Sequence, residues 1–316
     1  MMKHVKLFSA FTLALGLLSA GFAAAVDSDW KPYPTNLYKP DLTGDNLQKL
    51  WPKLSRATQD PFPADEGLQD AWRSDFEGDF AGAKKKGLAL GTPEGAYVAY
   101  RAQTIYAMYM APDPQPGQEA QAERTVLLKD AADQLLNVVN NLKSQGKEPP
   151  VQIVFWGAYA MGRYVQIMKP TWSLLTKKAQ VKALLTQAGL VPNPSLMPAL
   201  HGLYGGAYAA IYQDGYAARL TFRSYVKDCQ GTVTPGDYVK ASSQQFDCAL
   251  KALGDTPFPE IYNSYAKALL ELDPVANKVQ AETYKQYATG ASVPPGVTNM
   301  IFSAEDALAR EFAKKP

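Results

Sequence analysis

The sequence contains very few of the side chains that build metal sites and histidine-dependent active sites. Only two of its 316 residues are histidine, His4 and His201, and only two are cysteine. So few ligands cannot assemble a histidine-rich metal centre or a mechanism that needs two histidines. The chain also shows no nucleophile elbow, phosphate-binding loop, zinc-protease motif or calcium loop. We therefore expect neither catalysis nor a bound metal or cofactor.

The sequence also lacks an excess of charge once residues 1–25 are set aside. Lys3 and Lys6 precede an uncharged run from Leu7 to Leu18, and Ala23-Ala24-Ala25 fits a cleavage site. This order is typical of a secretory signal peptide. The segment holds two of the 32 basic residues and none of the 30 acidic ones, so the mature chain would be neutral. Neutrality disfavours nucleic acid as a partner.

Long apolar runs are absent as well. The uncharged run in the signal is too short to span a bilayer, and no later stretch approaches the ~18 apolar residues that a spanning helix needs. No cysteine lies near the predicted cleavage site, which disfavours a lipid anchor at the new N-terminus. We therefore predict a soluble protein that is exported to the periplasm of a bacterium with two membranes.

The two cysteines, Cys229 and Cys248, are expected to form a disulfide in that oxidising compartment. The bond would close a loop of about 20 residues and contribute on the order of 3 kcal/mol to stability. Two buried free thiols are the alternative. A zinc site is disfavoured, because no second cysteine pair or histidine cluster accompanies them.

The spacing of apolar residues predicts an all-α protein. Residues 26–65 are rich in Pro and aromatics, which predicts an extended N-terminal arm with a short helix near Leu47 to Leu54. Residues 66–316 form one helical domain, in which apolar positions recur at helical spacing and Pro or Gly separates the helices. Short connections favour antiparallel helix pairs, in a bundle or a solenoid. The predicted helices cover residues 67–89, 93–110, 118–144, 149–168, 170–189, 195–213, 215–228, 236–253, 258–271, 275–289 and 301–313.

Several motifs resemble tetratricopeptide repeats, in which small and large residues let paired helices nest. Their order over most of residues 70–312 is similar to that in exported bacterial tetratricopeptide-like proteins related to the accessory component of TRAP transporters. The chain departs from that pattern in its Pro-rich arm, in its cysteine pair and in lacking the lipid-attachment cysteine of some relatives. The resemblance implies a helical scaffold whose groove or pore binds an apolar or amphipathic molecule for envelope transport, without catalytic residues. The motifs that carry it are Gly78-Asp79-Phe80 with Gly87-Leu88, Tyr100 to Gln103 with Ile105 to Ala107, Tyr159 to Tyr164, Lys182 to Leu185 before Pro192 and Pro194, His201 to Ala209, Phe246 to Leu250, and Tyr265-Ala266.

One candidate ligand site lies on the helix predicted over residues 149–168. Trp156, Tyr159, Arg163 and Tyr164 share a face by spacings of three and four. Arg163 would pair with a ligand carboxylate while the aromatic rings cover an apolar body, as in small-molecule pockets. The alternative is structural: Gly157 and Gly162 would permit close helix contact, and Arg163 would pair with a carboxylate of the protein.

A second candidate is a tyrosine stripe, in which Tyr204, Tyr208 and Tyr212 recur every four residues. Their hydroxyls would line a groove and bind a ligand or water. A core stripe with hydroxyls at the solvent edge is the alternative. His201, just before the stripe, is interpreted as a buried histidine with a structural hydrogen bond.

These observations predict a non-catalytic periplasmic binding or accessory protein. It would hold an apolar or amphipathic small molecule, such as a lipid, a sterol-like molecule or an organic acid, for a transport system of the envelope. The alternative is an interaction scaffold that docks a membrane transporter component or another envelope subunit. A hydrolase would require His201 beside a serine and a carboxylate in a cleft.

Overall fold

The computed structural model describes residues 30–168, 197–232 and 234–315. The predicted signal peptide and the helix predicted over residues 170–189 lie outside the described residues. Backbone contacts divide the chain into two units, residues 1–32 and 33–316. Every helix discussed below belongs to the second unit.

The described part of that unit contains twelve α-helices and no strand, so the all-α prediction is confirmed. Most helices begin and end within a few residues of the predicted positions. The short helix expected near Leu47 to Leu54 is present as the first of them. In chain order they are α1 (Asn46–Leu54), α2 (Glu66–Phe76), α3 (Phe80–Ala89), α4 (Pro93–Tyr109), α5 (Glu123–Ser144), α6 (Val151–Met168), α7 (Pro198–Gln213), α8 (Tyr216–Phe222), α9 (Tyr238–Leu253), α10 (Pro259–Leu272), α11 (Lys278–Thr289) and α12 (Ala304–Ala313).

The helix predicted over residues 215–228 is shorter than expected. It ends at Phe222, and one turn of 3-10 helix follows at Arg223–Tyr225. The Asp228 carboxylate accepts hydrogen bonds from the amides of Gln230 and Thr232, each 2.9 Å long. An aspartate that binds nearby amides in this way competes with helix formation, so the chain turns here.

Along the N-terminal half, each of α2 to α5 packs against the next helix. In the C-terminal half α7 packs against α9 and α10, and α10 packs against α11. The last helix, α12, contacts α10 and α11 and also reaches back to α2 and α4. The helix pairs are thus consistent with a bundle or solenoid whose C-terminal helix returns to its N-terminal helices.

Glycines set the closest helix contact in the N-terminal half. Gly78, with φ of +88°, divides the predicted stretch 67–89 into α2 and α3, and Asp79 then caps α3. A Cβ atom built on Gly87 of α3 would lie 2.4 Å from the carbonyl oxygen of Gly95 in α4. Because that oxygen belongs to backbone, it cannot move aside, and α3 and α4 can approach this closely only with glycine at position 87.

The sulfur atoms of Cys229 and Cys248 lie at disulfide distance, 2.06 Å apart, with the Cα atoms 6.4 Å apart. The predicted bond is therefore confirmed. It joins the loop that follows α8 to the middle of α9.

No helix within residues 30–168, 197–232 and 234–315 combines the length and the apolar character needed to cross a membrane.

We predict that Gly87→Ala lowers the free energy of unfolding by about 1–3 kcal/mol, since the added methyl group forces α3 and α4 apart. The matched control is Gly206→Ala in α7, where a Cβ atom meets no described atom within 4 Å. Because alanine favours helix over glycine, this control should be neutral or more stable by up to about 1 kcal/mol. Urea unfolding followed by circular dichroism measures both. Equal effects at the two positions would contradict the packing argument.

Candidate functional site

A cavity of about 810 Å³ lies where the two halves of the helical unit meet. Its longest walls are α6 from the N-terminal half and α7 and α10 from the C-terminal half. The end of α1, Arg101 of α4, the loop after α8 and the first turn of α12 complete the lining. The volume falls within the range of pockets that enclose small organic ligands.

Small side chains on one face of α7 create the space. Five of the ten lining residues of this helix are glycine or alanine: Ala199, Gly202, Gly206, Ala207 and Ala210. No described atom lies within 4 Å of a Cβ built on Gly206, or on Gly162 of the facing helix α6. The next glycine, Gly205, faces away and contacts Phe246 of α9 instead. Adjacent glycines therefore serve different purposes, Gly205 in packing and Gly206 in leaving room.

Most of the lining is apolar or aromatic. It includes rings from α6, α7, α9 and the connecting loops, together with branched aliphatic side chains. Such a surface favours the apolar body of a ligand, because burial removes that body from water. The larger members of this set are Leu54, Phe155, Trp156, Val165, Leu203, Tyr204, Tyr208, Ile211, Phe222, Val226, Tyr238, Phe258 and Ile261.

Arg101 is a buried cation at one wall of the cavity. Only 4% of the residue is exposed, and its guanidinium group forms ion pairs with Asp75 of α2 and Glu305 of α12. The guanidinium carbon also lies 5.1 Å from the ring centroid of Trp156 and 5.2 Å from that of Trp72. Cation–π contact and two carboxylates together replace the water that Arg101 loses on burial.

Arg56, which follows α1, forms the second buried ion pair of this wall. Its Nη2 atom lies 2.8 Å from the Asp306 carboxylate, and both side chains are almost fully buried. Asp306 also accepts the backbone hydrogen bonds of Phe302 and Ser303 in the capping box of α12. The first turn of α12 is therefore held to the N-terminal helices by two adjacent carboxylates, each with its own arginine.

Arg163 pairs with a carboxylate of the protein, as the structural alternative predicted. Its Nη2 atom donates to Glu260 of α10 and, at 3.0 Å, to the Tyr159 hydroxyl, while Nη1 donates to Gln166. The second oxygen of Glu260 accepts from Tyr109 at 3.1 Å. This ion pair joins α6 to α10 at the wall of the cavity. Close helix packing accounts for Gly157, which faces Leu135 and Leu136 of α5. It does not account for Gly162, because no described atom lies within 4 Å of a Cβ atom built there.

Burial disfavours additional charge in the lining. It raises the pKa of the Glu305 carboxyl, although Arg101 beside it acts in the opposite direction. Burial likewise raises the pKa of Glu271, which lies in α10 near its partner Lys267. It also raises the pKa of the Tyr208 hydroxyl to about 12 and that of Tyr159 further, so both remain neutral at physiological pH.

Five of the seven predicted ligand-binding residues line this one cavity: Trp156, Tyr159, Arg163, Tyr204 and Tyr208. The structure thus brings together the two candidate sites that the sequence treated separately. One lies on α6 and the other on α7, and both helices line the cavity.

Tyr164 and Tyr212 are not among the lining residues. Tyr164 is close enough to Lys129 of α5 to contribute to the raised pKa of that amine, whose largest cause is the hydrogen bond to Asp133. Tyr212 packs partly buried beside the core, with the Arg219 guanidinium carbon 4.8 Å from its ring centroid. A spacing of four residues advances about 40° around a helix, so a stripe with that spacing drifts off one face.

The two lining tyrosines of α7 differ in burial. The Tyr208 hydroxyl accepts a hydrogen bond of 3.2 Å from the amide of Lys227, and the residue is buried. Tyr204 is half-buried, with its ring centroid 6.0 Å from that of Tyr208. Tyr208 therefore fits the alternative of a core stripe, whereas Tyr204 is more exposed.

His201 lies outside the lining. It is buried, and its Nδ1 atom lies 2.7 Å from the side-chain oxygen of Gln245 in α9. This is the structural hydrogen bond that the sequence suggested.

The sequence did not reveal the charged residues that the fold contributes from distant positions: Arg56, Arg101, Glu305 and Asp306. One signal was present. Arg101 and Glu94 are the only charged residues in α4, and Arg101 lies in its apolar middle. An arginine in that position must find a carboxylate partner on burial, yet the pattern does not say which one.

Within the described ranges, no group of three or more His, Cys, Asp or Glu side chains is placed to hold a metal ion. Comparisons of the chain with protein families, with curated proteins and with solved structures find no match.

We predict that Arg101→Met lowers the free energy of unfolding by about 3–5 kcal/mol, because it leaves Asp75 buried without its cation. Urea unfolding at neutral pH measures the loss. Lys129→Met is the matched control, since Lys129 forms an exposed ion pair with Asp133. That control should cost less than about 1 kcal/mol. A small loss for Arg101→Met would show that the ion pairs of Arg101 with Asp75 and Glu305 do not anchor α12.

Proposed function

We propose that this protein binds an apolar or amphipathic small molecule in the cavity between α6, α7 and α10, without catalysis. The observation that carries the proposal is the cavity itself, about 810 Å³ in volume and lined mainly by apolar and aromatic side chains. Mostly apolar clefts of this size with a few polar groups are characteristic of small-molecule sites. A ligand that fills the cleft removes apolar surface from water.

The way the space is made also supports binding. Gly162 of α6 and Gly206 of α7 both line it, although glycine weakens both helices. Larger side chains at these positions would fill the hollow and stabilise the helices. Their absence is explained if the space is needed for a ligand.

We further propose that the binding serves an envelope transport system, with the protein exported to the periplasm. Three features support this step: the signal-like segment at residues 1–25, the order of tetratricopeptide-like motifs, and the bond between Cys229 and Cys248. A disulfide is typical of proteins that fold in an oxidising compartment.

The alternative is a scaffold that docks a transporter component, and exposed apolar side chains favour it. Leu270, Val275 and Val279 lie near one another in sequence at the end of α10 and start of α11, and Val275 is 85% exposed. Exposed apolar clusters are characteristic of interaction surfaces.

The proposal is tested by native mass spectrometry of the mature protein purified from its own cell envelope, followed by solvent extraction of what is released. We expect one small molecule per chain that leaves only on denaturation. A clean mass for the empty chain, with no shift after incubation with lipids and organic acids, would favour the scaffold instead.

A cavity-filling variant links any bound molecule to the site. We predict that Gly206→Leu abolishes binding while the protein stays folded, because Gly206 lines the cavity and no described atom lies within 4 Å of a Cβ atom built there. Ala252→Leu is the matched control: Ala252 lies on the exposed face of α9, outside the lining. Unchanged binding by Gly206→Leu, with an unchanged thermal transition, would place the ligand elsewhere.

A further inference from the structure

The charges that line the cavity are balanced. The described lining contains five basic residues, Arg56, Arg101, Arg163, Lys227 and Lys267, and five acidic residues, Asp214, Glu260, Glu271, Glu305 and Asp306. Neither sign is in excess, so the lining offers no net attraction to a charged headgroup.

The guanidinium groups are already engaged by the protein. Arg56 donates to the Asp306 carboxylate and to the backbone oxygens of Lys53, Thr256 and Met300. The other two arginines hold carboxylates of α2, α10 and α12, and the tie between Arg163 and Glu260 is shared with Tyr159 and Gln166. A ligand carboxylate would have to displace one of these partners.

Displacement is costly in both directions. If a carboxylate took Arg163, Glu260 would remain beside it as an uncompensated negative charge in a mostly apolar cavity. An ammonium headgroup would meet the reverse problem, because Glu260 and Glu305 already bind arginines. At the pair of Arg163 and Glu260, a charged headgroup of either sign therefore loses water without gaining a free counter-ion.

An uncharged polar group faces no such difficulty. The hydroxyls of Tyr159 and Tyr204 and the amide of Gln166 belong to lining residues. Burial raises the pKa of both tyrosines, which keeps these hydroxyls neutral. A hydroxyl can donate one hydrogen bond and accept others, so a tyrosine that is already bonded can still bind a ligand oxygen.

We propose that the cavity selects an uncharged amphiphile, an apolar body that ends in a hydroxyl or carbonyl group, and rejects the corresponding carboxylate and amine. This inference rests on the proposed function and names its substrate class. The ion pair between Arg163 and Glu260 determines this selectivity. Each of its two charges already has a counter-ion, so neither is available to a charged headgroup.

The test compares three probes that share one alkyl chain: hexadecan-1-ol, hexadecanoate and hexadecylamine. Binding to the full mature protein is measured by equilibrium dialysis at neutral pH, with a cyclodextrin carrier and concentrations below micelle formation. We expect the alcohol to bind at least about tenfold more tightly than either charged probe.

Two variants then change the selecting pair. Glu260→Gln leaves Arg163 without its counter-ion, so the affinity for hexadecanoate should rise by about tenfold or more relative to the alcohol. Arg163→Gln leaves Glu260 unpaired and should shift the preference toward hexadecylamine. Glu282→Gln makes the same chemical change on the exposed surface of α11, outside the lining, and should leave the ratios unchanged.

The outcomes separate the two proposals. Tighter binding of hexadecanoate or hexadecylamine by the unaltered protein overturns the inference but leaves a ligand-binding function in place. Binding of none of the three probes, together with an empty native mass, overturns the function as well. The ranking of probes on the unaltered protein decides the inference even if a variant fails to fold.

Discussion

The requirement that buried charges be paired governs this structure more than any other constraint. Arg101 is buried in α4. The two carboxylates that pair with it come from α2 and α12, which are far apart in the sequence. Arg56 and Asp306 repeat the arrangement one residue further along α12. An ion pair of this kind adds little net stability, yet breaking it leaves a charge stranded in an apolar region. The pairs therefore specify where α12 must lie, and α12 in turn closes one end of the cavity.

The same constraint explains the character of the cavity. Each arginine of the lining reaches a carboxylate from another helix, so the charges serve to join helices and their fields largely cancel. Arg163 and Glu260 connect α6 to α10 in this way at the wall of the cavity. What remains for a ligand is an apolar surface with neutral hydroxyl and amide groups. The site is therefore a consequence of how the two halves are held together.

The sequence was sufficient for the local structure, because helical periodicity and Pro or Gly breaks act over short distances. It predicted α4 and α10 almost to the residue, and Gly78 marked the turn between α2 and α3. It failed where a side chain competes with the helix, as Asp228 does after α8. The partners of Arg101 and Arg163 could not be predicted, since they lie about 200 and 97 positions away and depend on helix packing. The tyrosine stripe identified only some of the lining residues. Periodicity alone does not show at which turn of the helix the tyrosines stop facing the cavity.

The bond between Cys229 and Cys248 has a practical consequence for the cavity wall. The loop that carries Cys229 also supplies Val226 to the lining, and α9, which carries Cys248, supplies Tyr238. Two parts of the same wall are thus covalently linked, next to a loop that has little regular structure of its own. Protein produced in a reducing cytosol would lack this covalent restraint, leaving the loop held by packing and by the hydrogen bonds of Lys227 with Tyr208 and Gln245. The redox history of a preparation therefore affects how firmly this wall is held, and two batches with identical circular dichroism spectra need not have the same pocket.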